Sequence, residues 1–104
     1  MDTIAILIPL YNEEKSLNSL LQELEYHCDS ISKRYGINFR IIFVDDGSTD
    51  KSLNIIKSME TFNLPIQVIS LSRNFGKEAA ISAGLNAGKE DSAVLIMDAD
   101  LQHP

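Results

Sequence analysis

The sequence has 104 residues, 44% of them hydrophobic, which is the size and apolar content of one folded domain with a modest core and excludes a disordered chain. Its formal net charge of −6 argues against a nucleic-acid partner, which needs a basic face. The one cysteine, Cys28, excludes an intrachain disulfide and fits a reducing cytoplasm, and no apolar run reaches membrane-spanning length.

Ile4 to Pro9 is an unbroken apolar run with β-branched residues, which predicts a strand buried on both faces, as in a parallel sheet. Asp2 and the shortness of this run are the wrong start for a signal peptide. Tyr11-Asn12-Glu13-Glu14 then forms a loop leading into a helix. Leu17, Leu20, Leu21, Leu24, Cys28 and Ile31 recur at spacings of three and four, so this helix carries one apolar stripe on which Cys28 packs. His27 falls on its surface, Glu13 and Glu14 lie near its positive end, and Gly36 stops it.

Phe39 to Val44 is the second apolar strand, closed by Asp45-Asp46-Gly47-Ser48-Thr49-Asp50. Ser48 or Thr49 is expected to cap the next helix, with Asp50 in its first turn. Leu53, Ile56 and Met59 form the buried side of that helix, and Asn63-Leu64-Pro65 breaks it. Ile66 to Leu71 is the third strand, followed by the polar loop Ser72-Arg73-Asn74-Phe75-Gly76-Lys77. Glu78 to Ala87 is a helix of small residues, in which Ala79, Ala80, Ala83, Gly84 and Ala87, with Gly88 after them, allow close packing on a sheet. Ser92 to Met97 is the fourth strand; its apolar run predicts burial, and it leads straight into Asp98.

Strand and helix alternate three times before this last strand. Such alternation implies a Rossmann-like parallel sheet with right-handed crossovers and helices on both faces. Ligands in these sheets bind outside the carboxyl ends of the strands. Every polar cluster lies there: Tyr11 to Glu13, Asp45 and Asp46, Arg73 to Lys77, and Asp98 to Gln102.

In extended chain, residues two apart point the same way, so Asp98 and Asp100 converge if the extension persists past the strand. Two adjacent carboxylates need a positive partner. A divalent cation with oxygen ligands is the natural candidate, and Gln102 continues the spacing as a third oxygen. Plainer readings exist for each group. Asp-x-Asp also occurs as solvated loop acids, Asp45 as a helix-start acid, Asp46-Gly47 as a turn, Asn74 as a turn former, Arg73 and Lys77 as surface charges, Tyr11 as cover for a sheet edge, and His103 as a solvated tail residue.

Four motifs stand in order: Pro9-x-Tyr11-Asn12-Glu13, Asp45-Asp46-Gly47-Ser48-x-Asp50, Arg73-Asn74-x-Gly76-Lys77 and Asp98-Ala99-Asp100-Leu101-Gln102. In these the chain resembles the nucleotide-binding half of family 2 glycosyltransferases with the GT-A fold. The Asp-Ala-Asp-Leu-Gln form is similar to the polyprenyl-phosphate branch, which includes dolichol-phosphate mannose synthases and bactoprenol glucosyltransferases. The resemblance runs along essentially the whole chain, residues 1–104, and implies a fragment whose acceptor half lies elsewhere.

The resemblance implies a UDP- or GDP-sugar donor, Mg2+ or Mn2+, inversion at the sugar carbon, and a lipid-phosphate acceptor at the cytoplasmic face of a membrane. It places Pro9, Tyr11 and Glu13 in the nucleotide pocket, with Tyr11 near the base. Asp45 would contact uracil or guanine with Asp46 close by, and Gly47 would permit backbone approach. Arg73, Asn74 and Lys77 would sit near the base or pyrophosphate. Asp98 would contact ribose or metal, while Asp100 and Gln102 would ligate the cation. No catalytic base is implied, and this stretch alone is not expected to turn over substrate. Competing readings are a noncatalytic module binding nucleoside diphosphate and metal, and a transferase acting on a saccharide hydroxyl. A phosphoacceptor signalling domain would place its acid pair after the first strand, where Pro9-Leu10-Tyr11 stands instead. A nucleotidyltransferase would show a glycine-rich loop with a basic residue at that point.

Overall fold

The apolar runs become four parallel strands and the three-and-four spacings become the helices between them in the computed structural model, which describes residues 2–61 and 64–99. In chain order the elements are β1 (Thr3–Leu10), α1 (Leu17–Tyr35), β2 (Asn38–Asp45), α2 (Ser52–Lys57), a 3₁₀ turn at Ser58–Thr61, β3 (Ile66–Ser70), α3 (Lys77–Ala87) and β4 (Ala93–Ile96). The strand order is β3-β2-β1-β4, parallel throughout. The chain therefore winds outward from β1 to β3, then crosses back to lay β4 on the other side of β1.

Alternation along the inner strands divides the core in two. Ile6, Ile8 and Leu10 of β1 and Ile41 and Phe43 of β2 pack with Leu17, Leu20, Leu21, Leu24 and Cys28 of α1 and Ile56 of α2. Ala5, Leu7, Ile42 and Val44 point the other way, against Ala80 of α3. Helices thus cover both faces, which is why β1 and β2 are apolar at nearly every position. Each fully buried leucine or isoleucine contributes about 2 kcal/mol. α3 sits close because it is built of small residues: a Cβ added at Gly84 would clash with the Leu7 side chain, with Leu7 Cδ2 only 2.8 Å away.

Gly36 ends α1 with φ 68°, its N–H bonded to the Ser32 carbonyl at 2.9 Å, and Lys33 and Arg34 occupy the last turn as the macrodipole prefers. Three details differ from the sequence expectation. Ile31 is 40% exposed, one turn beyond Cys28, the last buried residue of the α1 stripe. β4 is an outer strand, and Leu95 and Ile96 are half-exposed rather than buried, since no described element covers them. The second helix is short, and Met59 reaches the core from the 3₁₀ turn instead. Asn63, expected in the break before β3, lies outside the described residues.

A clamp not anticipated from sequence closes the amino-end rim. Arg40 of β2 donates to Asp91 through Nε and Nη2, the latter at 2.7 Å, to Gln67 Oε1 at 2.8 Å and to the Ala87 carbonyl at 3.1 Å. It ties β2 and β3 to the turn between α3 and β4. The hydrogen bond from Arg40 holds the Asp91 carboxyl below its ordinary range, against the opposing effect of burial. Among the described residues no helix is long and apolar enough to cross a membrane.

Candidate functional site

The reversal of strand order falls between β1 and β4, and a parallel sheet opens a crevice at the carboxyl ends of such a pair. The register places all four strand ends at this rim: Leu10 pairs with Asp45, Asp45 with Ser70, and Leu7 with Ile96. The crevice is a cleft of about 370 Å³. Pro9, Tyr11, Glu13, Asp46, Asn74, Lys77 and Asp98 line it, together with Leu10, Gly76, Ala80 and Ala99. Seven of the residues singled out in the sequence therefore meet in one place. A larger groove, about 900 Å³, lies at the opposite rim and is walled by Tyr26, Phe39 and Pro65 among others. Size favours the groove, but the topology and the converging charged groups favour the cleft. Tyr11, 43% exposed, leaves the end of an inner strand of the sheet, so it does not cover a sheet edge.

The first two loops of the site are stitched to each other. Asn12, Glu13 and Glu14 present three successive backbone N–H groups, and side chains of the second loop accept each one. Ser48 Oγ takes Asn12 N–H at 2.9 Å, Ser52 Oγ takes Glu13 N–H at 2.8 Å, and Asp50 Oδ2 takes Glu14 N–H at 3.3 Å. This corrects the expected capping. Neither Ser48 nor Thr49 caps α2; the position before the helix is Lys51, and Asp50 precedes the helix, its Oδ1 accepting Ser52 N–H at 2.9 Å. Burial pushes the Asp50 carboxyl up, but the bonds from Ser52 and from the Glu14 amide outweigh it and the net shift is downward. Ser52, fully buried, was not anticipated; its signal is the run of small polar residues at alternate positions 48, 50 and 52.

The neighbouring acids Asp45 and Asp46 do different work because the backbone turns them to different sides. Asp45 ends β2 on the same side as Phe43, toward α1 and α2. It is 1% exposed and is not a lining residue of the cleft. Its Oδ2 accepts Ser48 N–H at 3.2 Å, and its Oδ1 is the buried side-chain oxygen left without a partner among the described residues. Asp46, also buried, borders the cleft and holds the third loop. Its Oδ1 accepts Phe75 N–H at 2.8 Å and its Oδ2 accepts Gly76 N–H at 3.0 Å, at the start of α3. Gly47 has φ 72°, and a Cβ there would sit 2.7 Å from Arg73 Cα and nearer still to Arg73 C and Asn74 N. The backbone that Gly47 admits is thus the chain's own.

This loop delivers its charged residues to two places. Lys77, the first residue of α3, reaches across the cleft to Asp98, Nζ to Oδ1 at 2.7 Å. Arg73 turns away, its guanidinium 4.8 Å above the Phe75 ring, and does not line the cleft. Asp98 follows β4 with a 65% exposed side chain. Asp100, Gln102 and His103 lie outside the described residues, and no cluster of three His, Cys, Asp or Glu suited to a metal occurs among the described ones. The donors offered by the cleft are oxygens. Asp98 and Glu13 present carboxylates, and no histidine or cysteine joins them among the described residues. That chemistry fits magnesium or manganese better than zinc.

Comparison with known proteins agrees with this fold. The chain is 42% identical over 102 residues to an undecaprenyl-phosphate 4-deoxy-4-formamido-L-arabinose transferase of Pseudomonas fluorescens, covering 97% of this chain and 29% of that protein. It spans, that is, less than a third of the curated relative's length. S. aureus TarS in complex with UDP superposes with a TM-score of 0.75 at 29% identity, over 96% of this chain and 28% of that one. The mannosyltransferase PcManGT from Pyrobaculum calidifontis, in complex with GDP-Man and Mn2+, gives 0.77 at 22% identity over 93% of this chain and 27% of its own, which is a likeness of fold. The sheet and its helices are accordingly the Rossmann-like arrangement of GT-A glycosyltransferases. The sequence model described as "Glycosyl transferase family 2" matches residues 5–104, from the first core strand through all four motifs, and the chain belongs to that family.

Proposed function

We propose that the protein transfers a sugar from a UDP- or GDP-sugar to a polyprenyl phosphate, with Mg2+ or Mn2+ and with inversion at the sugar carbon, at the cytoplasmic face of a membrane. The observation that carries this reading is the cleft at the strand-order reversal, with the Lys77–Asp98 pair across its mouth. The relative that acts on undecaprenyl phosphate by name supports the acceptor class, and neighbours bound to UDP and GDP-Man support the donor class.

The residues have distinct parts in this scheme. Tyr11 and Pro9 form the wall for the base, and Asn74 borders the same space. Asp45 stays off the lining of the cleft and supports this wall from behind, its Oδ2 holding the N–H of Ser48, whose Oγ in turn accepts Asn12 N–H. Breaking the sugar–phosphate bond leaves negative charge on the departing diphosphate. Lys77 offsets that charge from the start of α3, where the helix dipole adds to it. Asp98, with Asp100 and Gln102, would hold the cation, which when bound supplies Lewis-acid stabilisation of the diphosphate. An acceptor phosphate is already anionic, so no strong base is required.

The test is a transfer assay on the complete protein, acceptor half included, with radiolabelled UDP- and GDP-sugars and polyprenyl phosphate in detergent, with manganese or with chelator. Label should move to the lipid only with metal, and Asp98→Ala should stop it. Nucleotide binding without transfer to any acceptor would leave the noncatalytic module as the better description.

A further inference from the structure

Asn12 is the only non-glycine residue with positive φ among the described residues, at 52°. Asparagine tolerates this left-handed conformation better than other side chains, though glycine adopts it more freely. The side chain is exposed, so burial does not explain it. Its bonds do. Oδ1 accepts the backbone N–H of Thr49 at 2.8 Å and of Asp50 at 3.3 Å, and Nδ2 donates to Thr49 Oγ1 at 3.2 Å. In return its own N–H donates to Ser48 Oγ. One residue therefore gives and takes bonds with three consecutive residues of the next loop, 36 to 38 positions away.

The residues on either side of Asn12, Tyr11 and Glu13, both line the cleft, while Asn12 does not. We infer that Asn12 is the positioning residue of this wall. Its left-handed turn and its carboxamide together fix Tyr11 and Glu13 on the Ser48–Ser52 segment, so that the surface meeting a donor nucleotide is formed before the donor arrives. Preorganisation of this kind is lost by displacements of about 1 Å, which cost up to about a hundredfold in function. The inference rests on the nucleotide reading of the cleft given above.

Two substitutions separate the backbone from the side chain. Asn12→Gly keeps the left-handed turn and removes the carboxamide. Asn12→Asp keeps the accepting oxygen. Hydrogen exchange of individual amides in the protein is followed alongside the affinity for UDP and GDP with manganese. In Asn12→Gly the Thr49 and Asp50 amides should exchange faster by about tenfold, the effect of one lost hydrogen bond. Affinity for the nucleotide that the wild type binds should fall by about tenfold. The core amides of Ile41 and Phe43 should be unchanged, as they would not be if Asn12 merely stabilised the fold. Asn12→Asp should restore protection at Thr49 and Asp50. Unchanged exchange in Asn12→Gly, or lost protection with affinity intact, overturns the inference. A wild type that binds neither UDP nor GDP sinks the nucleotide reading instead, and the exchange arm alone then decides whether Asn12 pins the two loops.

Discussion

Two glycines with nearly the same backbone angle allow the contact at the centre of the site to be weighed. Gly36 has φ 68° and Gly47 has φ 72°. An alanine at either position pays a left-handed conformation, about 1–2 kcal/mol. At Gly36 the new Cβ meets nothing within 4 Å, so that is the whole cost. At Gly47 it would lie 2.7 Å from Arg73 Cα and closer to the adjoining peptide. Backbone cannot rotate aside as a side chain can, so the third loop must move, at a further cost of about 1–3 kcal/mol. Gly47→Ala should therefore destabilise by about 2–5 kcal/mol, exceeding Gly36→Ala by the second amount. Urea unfolding of the two variants measures the difference, provided the slopes agree. Exchange at Phe75 and Gly76, whose amides bond to Asp46, should quicken only in Gly47→Ala. Equal losses of stability in the two variants would refute the claim that the second and third loops are packed backbone to backbone.

Further outcomes follow from the same geometry. Asp46→Asn replaces one accepting oxygen with a donor facing an N–H; stability should fall by about 1–3 kcal/mol, and nucleotide affinity with it, as calorimetry and urea unfolding would register. Lys77→Met removes an ion pair whose two side chains are more than 60% exposed, so stability should change by less than about 1 kcal/mol while affinity for UDP or GDP drops; a stability loss without an affinity loss would deny Lys77 its part at the diphosphate. The Asp91 carboxyl is depressed by Arg40, so the stability it contributes is complete above its unfolded value of about 3.9 and is lost as pH falls through the lower folded value. Asp91→Asn should accordingly be less stable at neutral pH and lose less on acidification below about pH 4 than the wild type, in unfolding measured across that range.

The inner strands were legible because they are buried on both faces, and a run such as Ile4 to Pro9 records that directly. β4 carries the same kind of run, Ala93 to Ile96, yet lies at an outer position; nothing local in its sequence tells an inner strand from an outer one. The loop acids and hydroxyls were misplaced for a related reason. Ser48 and Asp50 suit a helix start by local rules, but their partners lie 36 residues back, at Asn12 and Glu14. Gathering the polar clusters at one rim needed only the strand–helix alternation. Dividing the roles of Asp45 and Asp46 needed the coordinates, because one residue's advance at a strand end turns a side chain to the other face. Asp100 and Gln102, read from the sequence as cation ligands, lie outside the described residues.

The central claim is that a nucleoside diphosphate enters the carboxyl-end cleft. Amide chemical-shift mapping of the protein, titrated with UDP and with GDP in the presence of magnesium, tests it most directly. The account predicts that the largest shifts fall on Tyr11, Glu13, Asn74, Gly76, Lys77 and Asp98. Shifts concentrated instead on Thr3, Asn38 and Arg40, around the groove at the other end of the sheet, would contradict it.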